Sequence, residues 1–289
     1  MKRFLLILLV LALIPGLAMA DGKVINLVAD PDAEWHFAEN APVLEVVFPP
    51  VKGADAAILR MGDEVAMIDA ATAGQRQRVA DTLKALDISR VNIAFNTHPH
   101  DDHIVGFQHV PETAKMDKLV ITFPEDANNH MKNTLRVMEE LGIPVEHAAD
   151  GDVLRVGQAE LKVIQKTEKW FTDNNKSAMV MVTYGDCRLL MAADVELDAQ
   201  NLLLKTCPEE LDADILKYPH HGVAKAGWNF LKHISPELSV ITNGRYNVKN
   251  TRKDAEKRGI PLVYTAEGTV RLRTDGNIWV VDQWELKEE

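Results

Sequence analysis

The stretch THPHDDHIVGF, Thr97 to Phe107, puts three of the chain's ten histidines and two aspartates into six consecutive positions. Folding alone gives no reason for such crowding, because imidazoles and carboxylates packed together each need water or a partner. Either the segment is a solvated loop or a cation sits among its side chains. Its position favours the cation. VNIAFN, Val91 to Asn96, reads as a strand, so the cluster begins at a strand's C-terminal end, where α/β architectures commonly bind ligands.

Working outward, VLEVVF (Val43 to Phe48) reads as a strand, and AAILRM and EVAMIDA flank a Gly62-Asp63 turn as a hairpin. Val79, Leu83 and Leu86 recur at helical spacing after Gln75. LVITF is a strand, and a helix from about Ala127 to Leu141 stops at Gly142 and Pro144. LKVIQ, AMVMVTY and CRLLMAA continue as strands, the last ending at Asp194, and DILKYP is a short strand ending at His220 and His221. Three strand ends therefore present His98 and His100, Asp194, and His220 with His221. This order predicts an α/β fold with two mixed β-sheets sandwiched between helices.

Residues 1–20 combine a basic start, an apolar run and the small-residue ending Ala18-Met19-Ala20, the pattern of a signal peptide cut after Ala20. Residues 21–41 are read as an N-terminal extension and residues 42–289 as one domain. No later segment is apolar enough over about 20 residues to span a bilayer, so the expected product is exported, periplasmic or secreted, with no membrane attachment. Setting aside Lys2 and Arg3 takes the formal charge from −11 to −13. Such an acidic surface disfavours long nucleic acid as a partner unless metals or a local basic patch offset it, and fits small or modest-sized substrates. Cys187 and Cys207 are too few for a disulfide framework; they are read either as one bond or as two buried thiols. The oligomeric state is not encoded in any motif.

His98-x-His100 on an extended segment can point one way, while Asp102 and His103 turn to a second point nearby. Neutral imidazole and carboxylate suit Zn²⁺, Mn²⁺ or Fe, and Asp194 can bridge a pair of ions. With those residues in place, HPHDDH resembles the HxHxDH signature of the metallo-β-lactamase superfamily. Within it, the chain is similar to the extracellular β-lactamase-like domain of the DNA-uptake channel ComEC. That similarity runs from about Leu44 to Gly276 through the IDA hairpin, THPHDDHIVGF, DNNKSAMVMVTYGD, LLMAAD, ADILKYPHHG and EGTVRLRTDG.

The resemblance implies an αββα sandwich with two divalent ions at one edge, zinc foremost and manganese or iron as alternatives. It implies His98 and His100 on the first ion, Asp102, His103 and His221 on the second, and Asp194 between them. His220 is left to contact substrate or transfer a proton, with its role exchangeable with that of His221. Asp102 could also orient or deprotonate the nucleophilic water. The implied activity is hydrolysis by a metal-bound hydroxide of a phosphodiester or other ester; a β-lactamase or lactonase, or a non-catalytic metal-binding protein, are the alternatives.

Three departures from the pattern bear on this. TDNNKSAMV stands where many members carry another ligand histidine, so Asn174, Asn175 or water would complete the first site. Ala193 replaces the glycine that usually precedes the bridging aspartate, and Val223 replaces a small hydroxyl after HHG. The early Gly-rich loop appears as PPVKGADA, with Asp55 in its acidic position. His36, His109, His147 and His233 are read as surface or satisfied histidines, His130 as a reserve distal ligand, and Arg245 and Tyr246 as solvated loop residues.

Overall fold

The computed structural model describes residues 22–30 and 33–285; the signal segment read at residues 1–20 lies outside them. One sheet runs, in spatial order, through Val24–Asn26, Trp279–Trp284, Thr269–Thr274, Leu44–Phe48, Ala56–Met61, Glu64–Ala70, Ile93–Asn96, Leu119–Ile121 and Val145–His147. A second runs through Val153–Val156, Ala159–Ile164, Met179–Tyr184, Cys187–Met191, Ile215–Lys217, Leu238–Ile241 and Leu262–Tyr264. Each sheet has an antiparallel part built from hairpins and a parallel part built from crossovers.

The period of two along the strands sorts side chains into layers. Leu44, Val46 and Phe48 point between the sheets, against Leu161, Val180, Leu189 and Met191. Val47 points outward, with Ile58 and Met67, onto the helices Arg76–Ala85 and Asn129–Glu140 through Val79, Leu83, Met131 and Met138. On the far side Leu190 and Leu216 meet helices Leu197–Thr206 and Trp228–Ile234 through Leu203, Phe230 and Ile234. The result is the αββα sandwich.

The Val91–Asn96 strand is divided: Arg90–Val91 pairs with Lys115–Met116 in a small separate sheet, and Ile93–Asn96 enters the large one. Asn92 causes the break, because its side chain accepts a hydrogen bond from Val65 N–H and donates one to Asp117. The extension, whose structure the sequence did not reveal, supplies the edge strand Val24–Asn26, parallel to Trp279–Val281. The disulfide alternative is not realised. Cys187 faces the inter-sheet core and Cys207 the helical layer beyond the same sheet, both buried and unpaired. Burial pushes the Cys187 thiol up to about 11.

Gly106, within the opening stretch, fixes how the histidine segment docks. Its N–H donates to Ala71 O at 2.9 Å, and a Cβ there would stand 1.7 Å from Ala70 O, a backbone atom that cannot swing aside. Gly106→Ala is therefore expected to destabilise the fold by about 3 kcal/mol, at the upper end of overpacking costs, readable in urea unfolding. A loss under about 0.5 kcal/mol would show that the docking is not tight.

Candidate metal centre

Four strand ends converge at one edge of the sandwich. Glu64–Ala70 delivers Asp69, Ile93–Asn96 leads into His98 and His100, Cys187–Met191 leads to Asp194, and Ile215–Lys217 to His220 and His221. The short helix Asp101–Ile104 carries Asp102 and His103. It is tied down by Asp55 N–H donating to Asp102 O at 3.0 Å, and Asn128 holds the preceding turn by donating to Pro99 O at 2.8 Å.

Asp69, Ala71, Ala193, His220 and His221 all have positive φ, between 44° and 61°. Side chains rarely adopt that left-handed region, which costs roughly 1–2 kcal/mol per residue, and such strain collects at functional sites. Ala193, at φ 44°, occupies the position where the resembled branch carries glycine. Ala193→Gly should thus raise stability by about 1 kcal/mol, measured as a shift in the urea midpoint; a fall in stability would contradict the strain.

Two groups of ligand atoms fall within 4.8 Å of one another: His98, His100 and Asp194, and His103, Asp194, His221 and Asp55. His98 Nε2 is 3.1 Å from His100 Nδ1 and 3.8 Å from Asp194 Oδ2. His103 Nε2 lies 3.4 Å and His221 Nε2 3.6 Å from the same oxygen. Asp102 turns one oxygen to His221 Nε2 at 3.1 Å and the other towards His103 Nε2 at 3.9 Å. Asp194 therefore stands at the junction of both groups. His220 belongs to neither group; its Nε2 faces Asp194 Oδ2 at 3.6 Å, and its Nδ1 contacts Glu196 Oε1 at 3.0 Å.

Asp55 and Asp69 were not counted among the site residues, and both act from behind the rings. Asp69 accepts from His103 Nδ1 at 2.7 Å and from Thr97 Oγ1 at 2.7 Å and N–H at 2.9 Å. Asp55 accepts from His221 Nδ1 at 2.9 Å, from Thr242 Oγ1 at 2.6 Å and from the ammonium of Lys217. With its oxygens engaged there, Asp55 is an orienting group rather than a ligand, although its distances admit it to the second group. Each pair fixes an imidazole so that Nε2 faces the centre, the arrangement that tunes ligand histidines elsewhere. The sequence held signals for both: IDA at a strand end, and an acid in the PPVKGADA loop.

The Asn175 option for completing the first group is corrected by the structure. Its Oδ1 accepts from Glu196 N–H at 3.0 Å and Ala199 N–H at 3.3 Å, so it starts the helix Leu197–Thr206 instead. Asn174 donates to Glu196 Oε1 at 3.3 Å, and its own Oδ1 is buried without a partner. His130 is exposed at the start of helix Asn129–Glu140 and joins neither group. Arg245 is paired to Glu267, and Tyr246 is 77% exposed.

The donor set fits a divalent cation. Among the described residues, buried Asp194 has no hydrogen-bond partner for either oxygen, nor has His103 Nε2, although these atoms face each other, and such orphaned groups are costly in a protein interior. Burial and the neighbouring His103 hold His98 well below the usual histidine range, keeping it neutral and able to donate a lone pair. Burial works against charge on His103 and His221, yet Asp194 and Asp69 raise the former, while Asp55 and Asp194 raise the latter to about 10. A divalent cation held by this second group would balance the same carboxylates that favour protonation of the two rings.

The family model for the metallo-beta-lactamase superfamily matches residues 50–237. The chain belongs to this superfamily. This metallo-β-lactamase-fold chain is 25% identical over 197 residues to ComE operon protein 3 of Bacillus subtilis, which covers 68% of the chain and 25% of that relative. It thus spans about a quarter of the relative's length, in keeping with the competence-domain resemblance. Among solved structures, the metallo-beta-lactamase fold protein YhfI of Bacillus subtilis matches at 11% identity and a TM-score of 0.50, covering 76% of this chain and 95% of that one. CmlA, a diiron beta-hydroxylase of Streptomyces venezuelae, matches at 11% identity and a TM-score of 0.50, covering 83% and 55%. At such identities these structures establish the shared fold.

Because Asp69 sets the ring of His103, Asp69→Asn is expected to weaken the ion that His103 would hold about 10- to 100-fold, the usual cost of losing such a support. Competition against a chromophoric chelator would read it. Unchanged affinity would show that His103 needs no such support.

Proposed function

We propose that the chain is an exported, metal-dependent hydrolase of phosphodiesters or related esters that works with two divalent ions, zinc foremost. The observation that carries this reading is the pair of unpartnered Asp194 oxygens where both histidine groups meet. His98 and His100 would hold one ion, and Asp102, His103 and His221 the other, with Asp194 spanning both. Paired ions supply an acidified water at neutral pH and polarise the oxygens of the reacting group. The chain's own residues do the rest. Asp55 and Asp69 keep two rings aimed inward, so little reorganisation is needed when substrate arrives.

His220 is the proton carrier in this reading. Glu196 at its Nδ1 leaves Nε2 facing the centre, and its side chain is 24% exposed, so substrate can reach it. From Nε2 it can deliver a proton to a departing oxygen. Export rests on residues 1–20, and a small or modest-sized substrate on the chain's acidic balance.

The test is turnover by residues 21–289 loaded with Zn²⁺ or Mn²⁺. Hydrolysis of bis(p-nitrophenyl) phosphate, with a chromogenic cephalosporin untouched, supports the reading. The reverse preference would make the protein a β-lactamase, and metal binding with no turnover of any ester would make it a binding protein.

A further inference from the structure

The acidic balance of the whole chain conceals a basic face next to the centre. From Val223 to Arg258 there are eight Lys and Arg against three Asp and Glu. The three acids are already engaged: Asp254 with Arg258 at 3.0 Å, Glu256 with Arg252 at 3.6 Å, and Glu237 with the backbone N–H of Lys23 at 2.8 Å. Lys225, Lys253 and Lys257 are exposed and, among the described residues, have no carboxylate within 4.0 Å.

Those three lysines line one groove of about 400 Å³ with Tyr218, Asn250, Thr251 and Asp254, whose carboxylate is paired with Arg258 at 3.0 Å. It is anchored to the metal centre's own loop. Thr251 Oγ1 donates to Gly222 O at 2.6 Å, directly after His221. Lys225 is three residues beyond Gly222, so its Cα lies within about 11 Å of that loop by chain reach alone. On one side Lys225 also borders the recess containing Glu196, the partner of His220. On the other, Asp254 and Lys257 lead on to a wider cleft of about 670 Å³ where Arg258 lies 3.9 Å over the Trp228 ring.

We propose that this lysine groove binds a second negatively charged group of the substrate, a phosphate-type oxyanion, so that the protein selects molecules carrying a phosphate beyond the scissile diester. The inference rests on the phosphodiester reading and adds a specificity site to it. Ammonium groups without protein partners favour such an anion as point charges, and a polar concave groove beside the reacting centre suits a soluble ligand better than a membrane surface does. The recess bearing Glu196 and Asp198 is acidic, which confines the anion to the Lys253–Lys257 side.

The test compares two substrates with the same scissile bond, thymidine 5′-(p-nitrophenyl phosphate) and its 3′-phosphorylated form, on the zinc-loaded protein. The expected result is about a tenfold preference in kcat/KM for the 3′-phosphorylated compound, shrinking as salt rises. In Lys225→Gln/Lys253→Gln/Lys257→Gln the ratio of the two kcat/KM values should fall to about one, because both substrates lose the same long-range attraction and only the 3′-phosphorylated one loses the groove. No preference in the wild type, or an equal one in the variant, would overturn the proposal. If neither compound is hydrolysed, the phosphodiester reading fails separately. Calorimetric titration with thymidine 3′,5′-bisphosphate then decides, because the groove requires binding about tenfold weaker in the variant. Equal binding, or retention on phosphatidylglycerol vesicles without any bisphosphate discrimination, would reject it.

Discussion

Asp194→Asn is expected to lower metal-dependent turnover about 10³-fold or more and to leave less than one firmly held ion per chain. The carboxylate is 1% exposed and is the one group shared by both histidine sets. Neutralising it removes the anion that would lie between two dications, and with it polarisation worth several kcal/mol, at about 1.4 kcal/mol per tenfold in rate. Asparagine keeps the volume, so the metal-free fold should survive, as circular dichroism and urea unfolding would record. Full turnover in this variant would place the chemistry elsewhere. A variant that simply unfolds would be replaced by Asp102→Asn, a partly exposed position that makes the same prediction for the second ion.

The second large effect is on stability. Lys217 is 1% exposed, and its ammonium donates to Asp55 and, at 3.1 Å, to Ala193 O. Burial would raise the Asp55 carboxyl, but Lys217 and then His221 hold it well below the usual carboxylate range, so it is ionised at neutral pH. Lys217→Met leaves that charge buried within 4.8 Å of Asp194, with His221, Thr242 and, at 4.0 Å, His103 in support. Removing one partner of a buried pair costs about 3–5 kcal/mol. Chemical unfolding of the metal-free variant would show this as a lowered midpoint, and Lys217→Met/Asp55→Asn should recover a large part of the loss. A single variant within about 1 kcal/mol of wild type would mean that the pair is not structural.

The layers and the histidine cluster were legible in the sequence because both obey short-range rules. Alternation along LEVVF and CRLLM sorts inward from outward residues, and HPHDDH gathers four of its candidate donors within six positions. The supporting acids were harder to read because they depend on contacts far apart in the chain. Asp69 meets His103 across 34 positions and Asp55 meets His221 across 166, so neither has a local spacing to betray it. The same is true of Glu196, which reaches His220 only because the strand ends are neighbours. Asn175 misled for the opposite reason: its position suggested a ligand, but a helix start had the stronger local demand for its oxygen. The net charge was silent on this face, since a sum over the chain cannot show that Lys225, Lys253 and Lys257 line one groove.

The central claim is that Asp194 joins two cation sites. Anomalous diffraction from crystals of the zinc-loaded protein, collected on either side of the zinc absorption edge, tests it most directly. The expected map has two peaks about 3.5 to 4 Å apart, one among His98, His100 and Asp194, the other among Asp102, His103, Asp194 and His221. A single peak, or an ion held by Asp55 in place of Asp102, would contradict it.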